Sequence, residues 1–365
     1  MKLSLDDEQV LLRESAARLV REQCGVETHR RLRDSGRYFD PGLWQQLAEL
    51  GWLGLPFSAV DGGYDGSLAD VVVLMEELGR GLVVQPYLST VLTCGWLLAR
   101  CDDDNRARYL PGIIQGDVQW AFAFAEAQGG YRLDAAACAA VPCDGGFALS
   151  GTKLAVLNGA LADSLLVTAR LRDGSTGVFV VEDASRARRR PVTLVDGSDG
   201  AEIVFDGVPA VLLLADAGSL LLDVVDRLMV VLAAQGLGSM QALLEMTVAY
   251  CKTREQFGQP IGKFQSLQHR MADMYLHCEA LRSLLYDAAI AHQEGRADRA
   301  RVSSALKVKL GEAGRFVAEQ AVQLHGGMGM TDELAVSHHF KSLLLLNTLF
   351  GDADYHLDRY LALSA

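Results

Sequence analysis

Two short clusters in the last third of the chain bring together residue types that suit one ligand chemistry. The first is Thr253-Arg254-Glu255-Gln256-Phe257-Gly258-Gln259-Pro260-Ile261-Gly262, followed by Phe264-Gln265. It sets an arginine, an amide and an aromatic ring at the end of a helical pattern. A guanidinium in that place can take phosphate oxygens bidentately while the ring stacks, so the trio suits an anionic, planar ligand. An ordinary turn between two helices accounts for the same residues and stays open as the alternative. The second cluster, Gln323-Leu324-His325-Gly326-Gly327-Met328-Gly329-Met330, also follows a helix. Its glycines would let a ligand approach backbone N–H groups closely. Taken alone, Gly326-Gly327 reads first as a helix-terminating turn.

The elements that must position these clusters are legible in the hydrophobic period. Over residues 1–117 apolar residues recur at helical spacing, as in Val10, Leu11, Ala17, Leu19 and Val20, then Leu43, Leu47 and Leu50, then Val72, Val73, Met75 and Leu78. Asp61, Gly62, Gly63 and Gly66 mark a loop between two of these helices. Over 118–215 the pattern shortens. Gly146–Gly151, Ser164–Ala169, Gly177–Val181 and Ala201–Phe205 are brief, rich in Val, Leu and Phe, and separated by turns. Parallel βαβ units would need intervening helices and none is visible, so an antiparallel sheet or small barrel is expected. Over 216–365 helical faces return, such as Leu237, Met240, Leu243, Leu244 and Val248, and Leu281, Leu284, Leu285, Ala288 and Ala289. Four helices of roughly 25 residues would pack as an antiparallel bundle. The expected fold is therefore α+β: a helical domain, a middle β domain and a C-terminal bundle.

Composition narrows the function classes. With 34 Lys and Arg against 46 Asp and Glu, the formal charge is -12. That argues against a general nucleic-acid binder, which needs basic density to displace counterions. Arg186, Arg188, Arg189 and Arg190 form a local exception, expected as a solvated loop. Seven scattered cysteines with no C-x-x-C pair give neither a disulfide framework nor a zinc pattern, and a reducing, cytoplasmic setting fits. The start, MKLSLDDEQVLLRES, reads as neither a signal nor a transit peptide. The uncharged run Leu228–Leu244 is broken by Gln235, Gly236, Gly238, Ser239 and Gln241, so a buried helix is expected and no membrane span. His269, His325, His338, His339 and His356 lack ligand spacing with a supporting carboxylate, so no metal site is expected, and His338-His339 is expected on a helix surface.

Together and at this spacing, the two clusters resemble the R-x-Q-F-G and Q-x-x-G-G elements of the acyl-CoA dehydrogenase family, and the resemblance extends over essentially the whole chain. Leu55-Pro56, Asp61-Gly62-Gly63 and Met75-Glu76-Glu77-Leu78-Gly79 look like its P-E-x-x-G-G and E-E-L-G signatures. Phe124-Ala125-Glu126-Ala127 through Gly130 stands where the family writes T-E-P-x-A-G-S-D. Gly151-Thr152-Lys153 with Asn158-Gly159 is similar to G-x-K-x-W-I-T-N-G. The resemblance implies FAD as cofactor, an acyl-CoA substrate dehydrogenated at its α and β carbons, and an electron-transferring flavoprotein as acceptor. It also implies that Arg254, Gln256, Phe257, Gln265, Gln323, Gly326 and Gly327 reach across a subunit interface to a neighbour's FAD tail.

Departures from the family pattern are concentrated. The flavin-contacting Thr corresponds to Ala125 and the following Ser to Tyr131. The W-I-T trio corresponds to Ala155-Val156-Leu157, so hydrogen bonds worth about 0.5–1.5 kcal/mol each are lost. Where relatives carry a catalytic Glu, this sequence has Phe350 before Gly351-Asp352, or Leu228 beside Met229. Asp352 and Asp226 are the nearest carboxylates, and each is one or two residues off, which on a helix turns a side chain by about 100° or 200°. Residues that would serve a neighbour's flavin are kept, and those that would serve this chain's own are replaced. That asymmetry resembles the small subunit of heteromeric acyl-CoA dehydrogenases of the pimeloyl-CoA or steroid side-chain type, with a homologous subunit as partner. The alternatives are a self-sufficient homotetramer with an atypical base and a non-catalytic acyl-CoA-binding homologue.

Overall fold

The computed structural model describes residues 5–36 and 38–364. In chain order, the helices α1 (Asp7–Gln23), α2 (Val26–Asp34), α3 (Pro41–Glu49), α4 (Leu68–Arg80), α5 (Gly95–Leu98) and α6 (Asp103–Ile114) come first. The strands β1 (Trp120–Ala123), β2 (Ala139–Cys143), β3 (Gly146–Leu157), β4 (Ser164–Arg170), β5 (Thr176–Val181), β6 (Arg188–Thr193) and β7 (Asp199–Leu214) follow. Then come α7 (Gly218–Thr253), the short strands β8 (Glu255–Gln256) and β9 (Gln259–Pro260), and α8 (Gln265–Gln293), α9 (Arg299–His325), α10 (Ala335–Thr348) and α11 (Ala353–Ala362). Two compact units result: a helical unit of Met1–Asp34, Ser67–Val83 and Met229–Ala365, and a sheet unit of Ser35–Gly66 and Val84–Leu228. Among the described residues no helix is long and apolar enough to cross a membrane.

In the sheet unit, β4, β2, β3, β7 and β5 pair in that order and β5 returns to β4, closing a small barrel. Its interior follows the two-residue period of a strand: Leu165, Val167 and Ala169 from β4, Phe179 and Val181 from β5, and Ala201, Ile203 and Phe205 from β7. The pairing is antiparallel, as expected, apart from β4, which runs parallel to β1 from Trp120↔Ser164 to Ala123↔Val167 and touches β2 in parallel at one residue pair. A parallel pair needs a long crossover. Here the β2–β3 hairpin supplies it, so no helix is required. Of the arginine run expected as a loop, Arg188, Arg189 and Arg190 instead open the largely exposed edge strand β6, paired along β7, while Arg186 ends the 3-10 turn before it.

In the helical unit, α1 and α8 pack on α4, while α8, α10 and α11 pack on α9. Capping boxes start α1 (Asp6 with Gln9) and α4 (Ser67 with Asp70), tying up backbone N–H groups that a helix start leaves unpaired. Where four helices of similar length are expected, α7, α8 and α9 have 36, 29 and 27 residues, but the last pattern breaks into α10 and α11. The break has a cause: Phe350 and Gly351 take φ of 57° and 118°, and Asp352 caps α11. His338 and His339 do not lie on the surface. They are 1% and 3% exposed, because that face of α10 packs against α2, where the His338 ring meets His29 edge-on at 4.9 Å.

The E-E-L-G segment has a packing reason. α4 and α7 cross so closely that a Cβ at Gly79 would lie 2.0 Å from the Gln235 carbonyl oxygen, and one at Gly238 would lie 1.9 Å from that of Glu76. Ser239 Oγ donates to Gly79 O at 3.1 Å across the same crossing. Backbone cannot yield as a side chain can. Gly238→Ala should therefore cost at least about 3 kcal/mol, the upper end for overpacking, whereas Ser239→Ala should cost about 1 kcal/mol. Thermal denaturation of the two variants side by side checks this. Equal melting temperatures would show that the crossing relaxes.

Candidate functional site

The first cluster folds into a miniature hairpin. α7 ends with Arg254 N donating to Tyr250 O at 2.8 Å, and Ile261 N returns to Arg254 O at 2.8 Å. Between them Gln256 pairs with Gln259, leaving Phe257 and Gly258 as the two turn residues, with φ of 53° and 78°. Two positive φ values are the mark of the tight hairpin turn that suits strand twist, at a conformational cost for a phenylalanine. The result is a ring 92% exposed at the tip, its edge toward Phe264 at 6.0 Å. Arg254 and Gln256 are exposed beside it, and exposed Gln265 opens α8, whose cap Phe264 offers no side-chain acceptor. Leu267 N turns back to Phe264 O at 3.0 Å, and with no side-chain cap the start of α8 keeps the positive end of a helix open to an anion.

The second cluster ends α9. Gly326 breaks the helix with φ of 61°, and Gly326–Met330 forms one 3-10 turn. Gln323, Gly326 and Gly327 are exposed, and nothing lies within 4 Å of where a Cβ would stand on either glycine. The His325 ring stacks on Tyr250 with centroids 4.5 Å apart, while its Nδ1 meets Ala321 O at 2.8 Å. Burial depresses the His325 pKa, which favours the neutral ring. Tyr250 lies four residues before Arg254 and His325 directly before Gly326. One aromatic contact thus registers the two clusters on each other within the helical unit. An exposed guanidinium, amides, a projecting ring and open glycine backbone fit a dinucleotide tail.

Ala125, Tyr131 and Leu157 lie in the sheet unit. Glu126 is locked by the Lys153 ammonium at 2.6 Å and by the N–H groups of Ala137 and Cys138 at 2.6 and 3.0 Å. Lys153, wholly buried, also donates to Thr168 Oγ1 at 2.9 Å and Phe124 O at 3.1 Å. Burial opposes both charges. It lowers the Lys153 pKa, but for Glu126 the ammonium and the two N–H groups prevail and hold the carboxyl below its ordinary value. Ala125 O accepts from Leu154 N at 2.9 Å beside a register shift of β3, where Ala155 takes φ of 47°. At the trio, Ala155 is exposed, Val156 buried and Leu157 half-buried. Tyr131 is half-buried in the loop between β1 and β2.

The positions for a base are apolar or otherwise engaged. Leu228 and Met229 are fully buried. Asp226 is 4% exposed on α7. Asp352 accepts from Tyr355 N at 2.9 Å as the cap of α11. The turn around it is over-determined: buried Lys307 donates to Leu346 O and, at 2.9 Å, to Leu349 O, and His356 Nε2 meets Phe350 O at 3.2 Å. Burial, then the Lys307 charge, lowers the His356 pKa to about 4. Sequence reading missed the Glu126–Lys153 pair, the Tyr250–His325 stack and Lys307. The first two lie inside motifs already quoted or beside them, but nothing local announces the partner.

Relatives bear out the architecture. The N-terminal and C-terminal domain descriptions of the acyl-CoA dehydrogenases match residues 6–117 and 225–362. Isovaleryl-CoA dehydrogenase of Solanum tuberosum is 32% identical over 370 residues, covering 96% of this chain and 89% of its own. The ChsE4-ChsE5 complex from Mycobacterium tuberculosis superposes with a TM-score of 0.89 at 26% identity over 99% of this chain and 98% of that one. PigA with FAD and proline superposes with a TM-score of 0.91 at 26% identity over the full length of both. The chain belongs to the acyl-CoA dehydrogenase family, whose members are oxidoreductases acting on CH–CH bonds.

Two outcomes follow from the buried charges. Lys153→Met leaves Glu126 buried without its counter-ion and should destabilise by about 3–5 kcal/mol, while adding Glu126→Gln should recover part of that; urea unfolding of the two proteins tests it. His356 has a folded pKa below its unfolded one. Its contribution is complete above about pH 6.5 and is lost as pH falls toward 4, at about 1.4 kcal/mol per pH unit. Asp199, raised to about 6 by burial, works in the opposite direction below pH 6, so the quantity to read is the difference between the wild type and His356→Asn. That difference should narrow from pH 7 to 5, and a constant gap would refute it.

Proposed function

We propose that this chain is a subunit of a FAD-dependent acyl-CoA dehydrogenase and completes the FAD site of a homologous partner subunit. The observation that carries the reading is the contrast between two sets of positions. Arg254, Gln256, Phe257, Gln265, Gln323, Gly326 and Gly327 are retained, exposed and held in register, whereas the places for a proton acceptor hold buried Leu228, buried Met229 and Phe350. In this reading Arg254 takes a pyrophosphate oxygen pair and the Gly326–Gly327 backbone supplies N–H donors. Phe257 covers the adenine end. FAD so held is the hydride acceptor in the α,β-dehydrogenation of an acyl-CoA thioester. The chain's own Ala125, Tyr131 and Leu157 offer a flavin ring fewer hydroxyl donors than the family pattern, which favours chemistry in the partner's cleft.

Support for an unlike partner comes from the paired assembly named for ChsE4-ChsE5. An electron-transferring flavoprotein as acceptor and a cytoplasmic setting, consistent with seven free cysteines, belong to the same proposal. A self-sufficient enzyme is the second reading, and the carboxylate of Asp226, buried on α7 two residues before Leu228, is the observation in its favour.

The pure chain should dehydrogenate acyl-CoA poorly, and adding the product of an adjacent related gene should restore turnover. Arg254→Ala should weaken FAD binding by the assembly about 10- to 100-fold, the weight of a charge-assisted hydrogen bond. Full turnover by the chain alone, abolished by Asp226→Asn, would replace this reading with the second.

A further inference from the structure

A cation pair on α2 grips the glycine turn at its downstream end, 299 residues away in sequence. Arg33 on α2 meets Asp332 bidentately, Nη1 to Oδ1 and Nη2 to Oδ2, each at 2.6 Å. Arg30 Nε lies 3.3 Å from Oδ2, and buried His338 donates from Nε2 to Asp332 O at 2.9 Å. Asp332 directly follows Thr331, whose N–H and hydroxyl both close on Met328 O, at 3.1 and 2.9 Å. The Gly326–Met330 turn is therefore pinned twice: upstream by the Tyr250–His325 stack and downstream by Asp332. Helix α2 buries little else, only His29 and Leu32 among its nine residues. So short a helix, with such a small apolar face, draws its place from these polar contacts.

We propose that Arg33, backed by Arg30, is a positioning residue that holds the Gly326–Met330 turn in the shape that receives the dinucleotide tail. This rests on the reading that the turn grips FAD. Simple surface ion pairs contribute little, but a fork-to-fork pair inside a network is the geometry in which they do contribute. The Arg33 hydrogen bonds, offset in part by burial, hold the Asp332 carboxyl well below the ordinary carboxylate range, so the clamp stays charged throughout the neutral range. Its effect is to remove conformational freedom from the glycine turn before the ligand arrives, which lowers the ordering cost of binding.

The experiment measures the Kd for FAD, by flavin fluorescence, in the assembly this chain forms with its partner or with itself. Arg33→Met should raise Kd about threefold to tenfold, the scale of one ordering cost, while kcat at saturating FAD and KM for acyl-CoA stay put. Asp332→Asn should match it, and the double variant should be no worse than either single. Arg33→Asp combined with Asp332→Arg should regain affinity, which separates a lost contact from a misfolded chain. The control is Arg254→Ala. If that variant raises Kd and Arg33→Met leaves it within twofold, the positioning role falls and the tail-gripping reading stands. If neither moves Kd, both fall.

Discussion

The helical unit depends on a crossing where backbone meets backbone, with one serine hydroxyl bridging it. At the crossing of α4 and α7, Gly79 and Gly238 let two backbones meet at distances no Cβ could tolerate. Gly236 makes room instead for a side chain of α9, since a Cβ there would press on Leu310 Cδ1 at 2.4 Å. α7 is thereby fixed in position along its middle, between α4 and α9. Everything further along inherits that placement: Tyr250 near its end, the hairpin after it, and through His325 the glycine turn that ends α9. A loosened crossing would leave both clusters intact in sequence and displaced in space.

Much of this was legible from residues alone. The order of helices, sheet and helices followed from the change of hydrophobic period, and the two clusters stood out by residue type. What period cannot carry is partnership between distant polar groups. Lys153 read as one letter of a motif, yet its burial beside Glu126 makes two motifs into one structural joint. His338-His339 looked polar and surface-bound, but α2 covers that face, and a nine-residue charged helix gave no sign of what it would pack against. The run Arg188–Arg190 misled in the opposite way, since high charge concealed an edge strand whose carriage along β7 depends on backbone pairing rather than composition. The parallel neighbour of β4 was invisible because its crossover is a hairpin.

Charge and apolarity are distributed with a direction. Groups suited to phosphate and adenine sit outside, on the hairpin after α7, at the start of α8 and at the end of α9. The positions where the family pattern has a proton acceptor are given to packing here: Leu228 and Met229 disappear into the core, and Phe350-Gly351-Asp352 is secured by Lys307, His356 and the α11 cap. A carboxylate placed at Phe350 would arrive in a turn already fixed by its neighbours.

The hairpin tip has a consequence of a different kind. A phenyl ring left almost entirely in water, with Met330 at 74% and Leu276 at 62% exposure on the same unit, is surface that the folded chain does not itself shield. A molecule that covered it in the native state and had no affinity for the unfolded chain would add to stability by mass action, coupling folding to the supply of that molecule.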